Sequence, residues 1–159
     1  MSPRPEPLPL LGWREWVALP RLGVRRVKAK IDTGARTSTI HAWDIEPFER
    51  DGVPMVRFRL HPKQRDTTID ILAEAPLHEM RSVRNSGGVE EQRPVVLTDV
   101  DLLGQRFEIE LTLTSRDAMG FRMLLGRQAI RNRFAVDPGR SYCGGVPKKK
   151  TRRKKADGS

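Results

Sequence analysis

Apolar and polar residues alternate along several short stretches of this chain. Val27, Ala29 and Ile31 alternate with Lys28 and Lys30, and Val56, Phe58 and Leu60 with Arg57 and Arg59. The clearest case sets Phe107, Ile109, Leu111 and Leu113 against Glu108, Glu110 and Thr112. Alternation of this kind buries one face and wets the other, so each stretch predicts a half-buried antiparallel strand. Thr39 to Trp43 repeats the pattern, and Trp13 to Pro20 predicts a further strand. Pro20-Arg21-Leu22-Gly23 supplies the turn that folds this last strand back as a hairpin. Further turn formers fall between the strands, at Asp51-Gly52, His61-Pro62, Asn85-Ser86-Gly87-Gly88, Leu103-Gly104 and Asp137-Pro138-Gly139. Helical periodicity is confined to Gly126 to Arg133, room for about two turns. The expected fold is mostly β, a barrel or sandwich, with one short helix near the C-terminal end.

The chain's 159 residues make one domain. A hydrophobic content of 37 % predicts a thin core. Apolar runs such as Pro94 to Leu97 fall far short of the ~18 residues of a membrane span. The Pro-rich leader, residues 1–11 with Pro3, Pro5, Pro7 and Pro9, lacks the apolar stretch of a secretory signal. A cytoplasmic protein with no membrane partner is expected, and the single cysteine, Cys143, fits a reducing compartment. Net charge is +10, of which residues 148–159 contribute +6, seven Lys and Arg against one Asp. A block of like charge with nothing apolar to bury predicts a disordered basic tail over 143–159, after a domain spanning 12–142. The tail has no aromatic residue, so any contact with nucleic acid is expected to be non-specific and salt-sensitive.

Candidate chemistry sits where the strand ending in Ile31 runs into Asp32-Thr33-Gly34. A carboxylate at the mouth of a turn polarises water if a second carboxylate shares one proton with it, because two like charges ~3 Å apart cannot both ionise. Gly34 allows backbone to close around the carboxylate, and Thr33 is placed to fix the turn by hydrogen bonding. On the tripeptide alone an ordinary turn serves as well.

The neighbouring residues add a resemblance. Ile31-Asp32-Thr33-Gly34-Ala35 followed by Thr37-Ser38-Thr39-Ile40, together with Met123-Leu124-Leu125-Gly126-Arg127, resembles the retropepsin-like aspartic proteases. Gly12 to Trp16, Lys28 to Ala35, Glu110 to Leu113 and Gly120 to Ala129 are similar, more closely, to a RimB-like, RimK-associated bacterial family that carries the name ATP-dependent zinc protease. The resemblance covers residues 12–142 and implies a closed retropepsin-like β-barrel. It implies catalysis by Asp32, with Thr33 and Gly34 shaping the turn, and support from Leu124, Leu125, Gly126 and Arg127. Ala35, Arg36 and the tip residues Ser86, Gly87 and Gly88 are the implied substrate contacts. Arg81 to Glu91 corresponds to the retropepsin flap, and residues 45–78 leave room for an extra hairpin. Arg36 stands where viral members carry an acid, so Arg127 needs a different partner.

Only one Asp-Thr-Gly occurs, so a dyad requires two chains about a two-fold axis, each giving Asp32. A homodimer is expected. The name ATP-dependent zinc protease does not fit the residues: there is no His-Glu-x-x-His, His41, His61 and His78 lie in separate segments, and no phosphate loop is present. Neither metal nor cofactor is expected. The resemblance implies a RimK-type ligase as a partner, and acidic peptides, such as glutamate tails on a ribosomal protein, as substrates. Two other readings stand beside the aspartic peptidase: a non-catalytic module of the same fold that docks on the ribosome or ligase, and a zinc-dependent hydrolase. Trp13, Trp16 and Trp43 are expected in core or dimer packing ahead of a substrate groove, and Cys143 has no neighbouring His to make it a nucleophile.

Overall fold

A computed structural model describes residues 7–62, 70–84, 87–115 and 120–146. Among these, strands dominate: β1 (Leu10–Leu11), β2 (Arg14–Leu19), β3 (Val24–Asp32), β4 (Ser38–His41), β5 (Trp43–Arg50), β6 (Val53–Leu60), β7 (Ile71–Arg84), β8 (Glu90–Leu102), β9 (Gln105–Thr114) and β10 (Met123–Gly126). A single turn of helix, α1 (Arg127–Ile130), and β11 (Ala135–Val136) follow. The fold is mostly β and retropepsin-like.

Nine strands pair in the order β2-β3-β10-β4-β9-β8-β7-β6-β5. An added pairing of β2 with β8, Ala18 opposite Asp101, makes the hydrogen bonding of the first six strands ring-like. The alternating stretches fill the inside of that ring. Val17, Leu19, Val27, Ala29, Val96, Leu111, Leu113, Met123 and Leu125 are all buried. β5, β6 and β7 extend the sheet as a wing, whose inner face is Val56, Phe58, Leu60, Ala73 and Ala75. The extra hairpin expected within 45–78 is there, as β5 and β6. Its Asp51-Gly52 tip takes left-handed backbone at both positions, φ 53° and 79°, which matches the twist of the flanking strands.

The expected helix over Gly126 to Arg133 is shorter in the structure. Arg131 leaves helical backbone with ψ at 132°, and Asn132 turns left-handed with φ at 68°. Ala129 and Ile130 of α1 are buried, and Arg131-Asn132-Arg133 add no apolar residue before the buried Phe134.

The folded unit reaches past both ends of 12–142. Leu10 and Leu11 pair in parallel with Ala135 and Val136, and Leu11 is fully buried. At the other end, the backbone N–H groups of Cys143 and Gly144 donate to the Glu15 carboxylate at 2.9 and 3.1 Å, and Gly12 N–H donates to it at 2.7 Å. Glu15 has no exposed surface, so these donors replace the water it loses and tie both ends of the chain to β2. The basic run from Lys148 lies outside the described residues, as does the leader before Pro7.

Candidate active site

The Asp-Thr-Gly turn is a place where three strands cross. β3 ends at Asp32, and β10 lies parallel beside it, Leu124 opposite Lys30, Leu125 opposite Ile31 and Gly126 opposite Asp32. The chain then loops over β10 and returns as β4 on its far side, antiparallel, with Leu124 opposite Thr39 and Met123 opposite Ile40. β10 is thereby threaded beneath the turn. At the crossing, a Cβ on Gly126 would overlap the backbone of Thr37, so only glycine fits.

The turn is held from several sides. Gly126 N–H donates to the buried Ser38 hydroxyl at 3.0 Å. The first two N–H groups of α1, which no helical carbonyl can satisfy, donate to the turn: Arg127 to Ala35 O at 2.7 Å and Gln128 to Arg36 O at 3.0 Å. The Arg127 guanidinium donates to the Thr33 carbonyl at 2.8 Å. Thr33 thus enters through its backbone, and Arg127 finds its partner within its own chain. Asp32 Oδ1 accepts from Gly34 N at 3.0 Å and Ala35 N at 3.2 Å, and a Cβ on Gly34 would stand 3.3 Å from the same oxygen. One carboxylate oxygen is therefore fixed by backbone donors, and the group stays partly exposed.

β7 and β8 form the hairpin beside the turn, in register from Leu77 opposite Val96 to Arg84 opposite Glu90. Gly87 and Gly88 lie exposed at its tip, Gly88 with φ at 83°, and Ser86 lies outside the described residues. The base of the hairpin carries a cluster of charge. Arg81 donates to Glu79 at 2.8 Å and to Glu110 on β9 at 3.0 Å, and His78 Nε2 stands 3.4 Å from Glu110. The Arg81 hydrogen bond draws the Glu79 carboxyl below its usual range, and the positive field of Arg36 acts in the same direction. Arg36, just past the turn, and Glu79, on the hairpin, are thus electrostatic neighbours. A cavity of about 490 Å³ is lined by Ser38, His78, Glu110, Gln128 and Arg131 among others.

The three tryptophans pack against their own chain: Trp13 edge-on to Phe121, Trp16 stacked on Tyr142, Trp43 stacked on His61. Burial and the Glu15 carboxylate push the Cys143 thiol up, away from the reactive thiolate. His41, His61 and His78 sit in β4, after β6 and in β7, and among the described residues no three of His, Cys, Asp and Glu gather as metal ligands would. The described residues do not fit a zinc centre. Among the described residues no helix is long and apolar enough to cross a membrane.

Two supports escape a reading of the sequence. Ser38 lies inside a recognisable segment, yet nothing local marks it as the acceptor for Gly126. Glu15 occupies a buried phase of β2, and its partners at Cys143 and Gly144 are brought to it only by the fold.

A threaded glycine strand under an Asp-Thr-Gly turn coincides with a match to the family model of the retropepsin-like aspartic endopeptidase RimB, over residues 10–146. The chain belongs to the RimB-like family. Curated relatives include a probable alpha-L-glutamate ligase of Shewanella pealeana, 48 % identical over 84 % of this chain, and one of Parasynechococcus marenigrum, 47 % identical over 84 %. The chain spans only 29 % and 28 % of the length of those relatives. A crystal structure of a Legionella pneumophila protein of unknown function superposes with a TM-score of 0.71 at 29 % identity, covering 86 % of this chain and 98 % of that one.

Proposed function

We propose that the chain is one half of an aspartic peptidase, two copies bringing their Asp32 carboxyls together about a two-fold axis. The observation that carries this reading is the turn itself: a part-exposed carboxylate, held by two backbone N–H groups, above a crossing that admits no slack. Each chain offers one such turn, and two are needed for one carboxyl to stay protonated while the other is ionised. The ionised Asp32 takes a proton from water as the water oxygen bonds to the peptide carbonyl carbon, and the protonated Asp32 gives its proton to the carbonyl oxygen. Collapse of the tetrahedral intermediate breaks the C–N bond, and the amine leaves with a proton from the dyad. Gly87 and Gly88 let the hairpin tip close over the substrate, and Ala35 and Arg36 line its path.

The relatives named as glutamate ligases support a setting in the cytoplasm beside glutamate ligation, with acidic peptides as substrates and a RimK-type ligase or its ribosomal target as partner. Asp32→Asn is expected to lower peptidase activity by about 10³-fold or more while leaving thermal stability nearly unchanged. Mixing wild type with an excess of Asp32→Asn subunits is expected to silence the wild type as well, because mixed dimers hold one carboxyl. Light scattering that finds only monomers under turnover conditions, or full activity in the mixed sample, ends the proposal.

A further inference from the structure

The β7–β8 hairpin changes character at one level along its length. Up to Val95, β8 is paired on both sides, with β7 and with β9, where Val95 stands opposite Thr112 and Leu97 opposite Glu110. Beyond Val95, among the described residues, Met80 to Arg84 and Glu90 to Pro94 pair only with each other. Two features of the sequence mark this boundary. On β7, Leu77 pairs with Val96 and Glu79 with Val95, so His78 is an extra residue, a bulge that bends the strand and re-aims its side chain. On β8, Pro94, opposite Met80, has no N–H to give to a ladder. A two-stranded ribbon is marginal by itself, so the arm past the boundary needs a brace.

β9 provides one. Glu110 Oε1 accepts from the Arg81 guanidinium at 3.0 Å, and Glu110 Oε2 stands 3.4 Å from Nε2 of His78. The bond to Arg81 spans β8 and the boundary together, since Glu110 lies opposite Leu97 on the fully paired side and Arg81 opposite Arg93 on the arm. Arg81 also holds Glu79, at 2.8 Å. Side-chain exposure is 25 % for Arg81 and 31 % for Glu110, so water and salt screen this pair less than one standing free on the surface. β9 frames the Asp32 turn as well: Leu111, next to Glu110, lies opposite Ser38, whose hydroxyl receives Gly126 N–H. We propose that Glu110 is a positioning residue, which sets the angle of the hairpin arm over the Asp32 turn by holding His78 at the bend and Arg81 beyond it. The inference rests on the peptidase reading above and adds to it the group that ties the covering hairpin to the strand framing the turn. Glu110 touches no reacting atom. Its effect reaches the substrate through the arm, so its loss weakens the hold on substrate ahead of the chemical step.

The test uses the full-length chain, with Glu110→Ala beside Glu108→Ala, which removes the same charge from the same face of β9. Hydrogen exchange of the free protein reads the brace without substrate. Glu110→Ala is expected to speed the amides of Ser82 to Arg84 and Glu90 to Arg93 by about tenfold, with those of β4 and β9 near wild type. Against a peptide of consecutive glutamates, KM is expected to rise about fivefold and kcat to change less than about twofold. Arg81→Met is expected to do the same, and the double variant to be no worse than either single, as two groups acting through one bond require. Glu108→Ala is expected to match wild type in both measurements. If wild type cuts no peptide yet Glu110→Ala frees the arm alone, the peptidase reading fails and the brace stands. The proposal is overturned by an arm that exchanges at the wild-type rate in Glu110→Ala, by exchange that quickens evenly across the sheet, or by a Glu108→Ala variant as impaired as Glu110→Ala. So is it by Arg81 and Glu110 changes whose effects add in full, or by an active enzyme whose arm is loosened while KM stays put.

Discussion

The crossing at Asp32 and the wing of β5, β6 and β7 are both built from paired strands, yet they are held by different means. At the crossing, backbone meets backbone: Gly126 against Thr37, and the carbonyls of Ala35 and Arg36 on the N–H groups that open α1. In the wing, apolar side chains face inward, and charges are paired across the outer face, Arg57 with Glu74 at 3.0 Å and Arg50 with Glu74 at 2.8 Å. A backbone contact cannot be exchanged for another, whereas an exposed ion pair contributes little and is readily replaced. Asp32 is positioned by the part of the molecule with the least room for change. The wing can vary in length and sequence without moving it.

Gly126→Ala puts this contrast to its hardest test. A methyl group here overlaps main chain that is itself fixed by hydrogen bonds, so the expected cost is about 3 kcal/mol of unfolding free energy, read from urea titration. A cost below ~1 kcal/mol would mean that the crossing yields, and the rigid picture of the turn would fall. The corresponding change at the tip of the wing, Gly52→Ala, meets open space and only the strain of φ at 79°, and is expected to cost about 1 kcal/mol. Similar losses at the two glycines would erase the distinction.

Between these two in size comes Glu15→Gln. The buried carboxylate accepts from Gly12, Cys143 and Gly144, and an amide keeps the shape but turns a donor toward at least one of those N–H groups. About 2 kcal/mol should be lost, and hydrogen exchange should speed up at Cys143 and Gly144 before it does in β6 or β7. Uniform acceleration across the sheet would show that the clamp is not local.

The two regions also differ in how plainly the sequence announces them. Alternation along Phe107 to Leu113 and the Asp51-Gly52 turn are local signals, and β9 and the extra hairpin follow from them directly. Asp32-Thr33-Gly34 and Leu124-Leu125-Gly126 are visible as segments, but their closure over one another spans some ninety residues. No periodicity reveals that Arg127 reaches the Thr33 carbonyl or that Ser38 receives Gly126 N–H. Arg36 stands where viral members carry an acid, and the hairpin base supplies Glu79 as its electrostatic neighbour. The charge pattern of β7 does not indicate this in advance, because His78, Glu79 and Arg81 read equally as a wetted face. The helix stops early for a local reason as well: Arg131-Asn132-Arg133 bring no apolar side chain to bury, and Asn132 turns left-handed before the chain re-enters the core at Phe134.

The smallest effect concerns acid and the paired charges of the wing. Hydrogen bonds from Arg50 and Arg57 hold the Glu74 carboxyl below the usual carboxylate range. In the unfolded chain that glutamate regains an ordinary value of ~4.3. A folded-state value below the unfolded one means that the unfolded chain binds the proton more readily, so the contribution is complete above about pH 5 and fades as pH falls through the folded value. Wild type should therefore lose more thermal stability between about pH 5 and 3 than Glu74→Gln, which has no proton to bind there, and ~0.5 M salt should narrow the gap by screening. The pair is exposed, so the difference should be a small shift in midpoint temperature. If Glu74→Gln instead lowered stability equally at every pH, the glutamate would be acting by packing and not by charge, and the wing would be held in the same manner as the crossing.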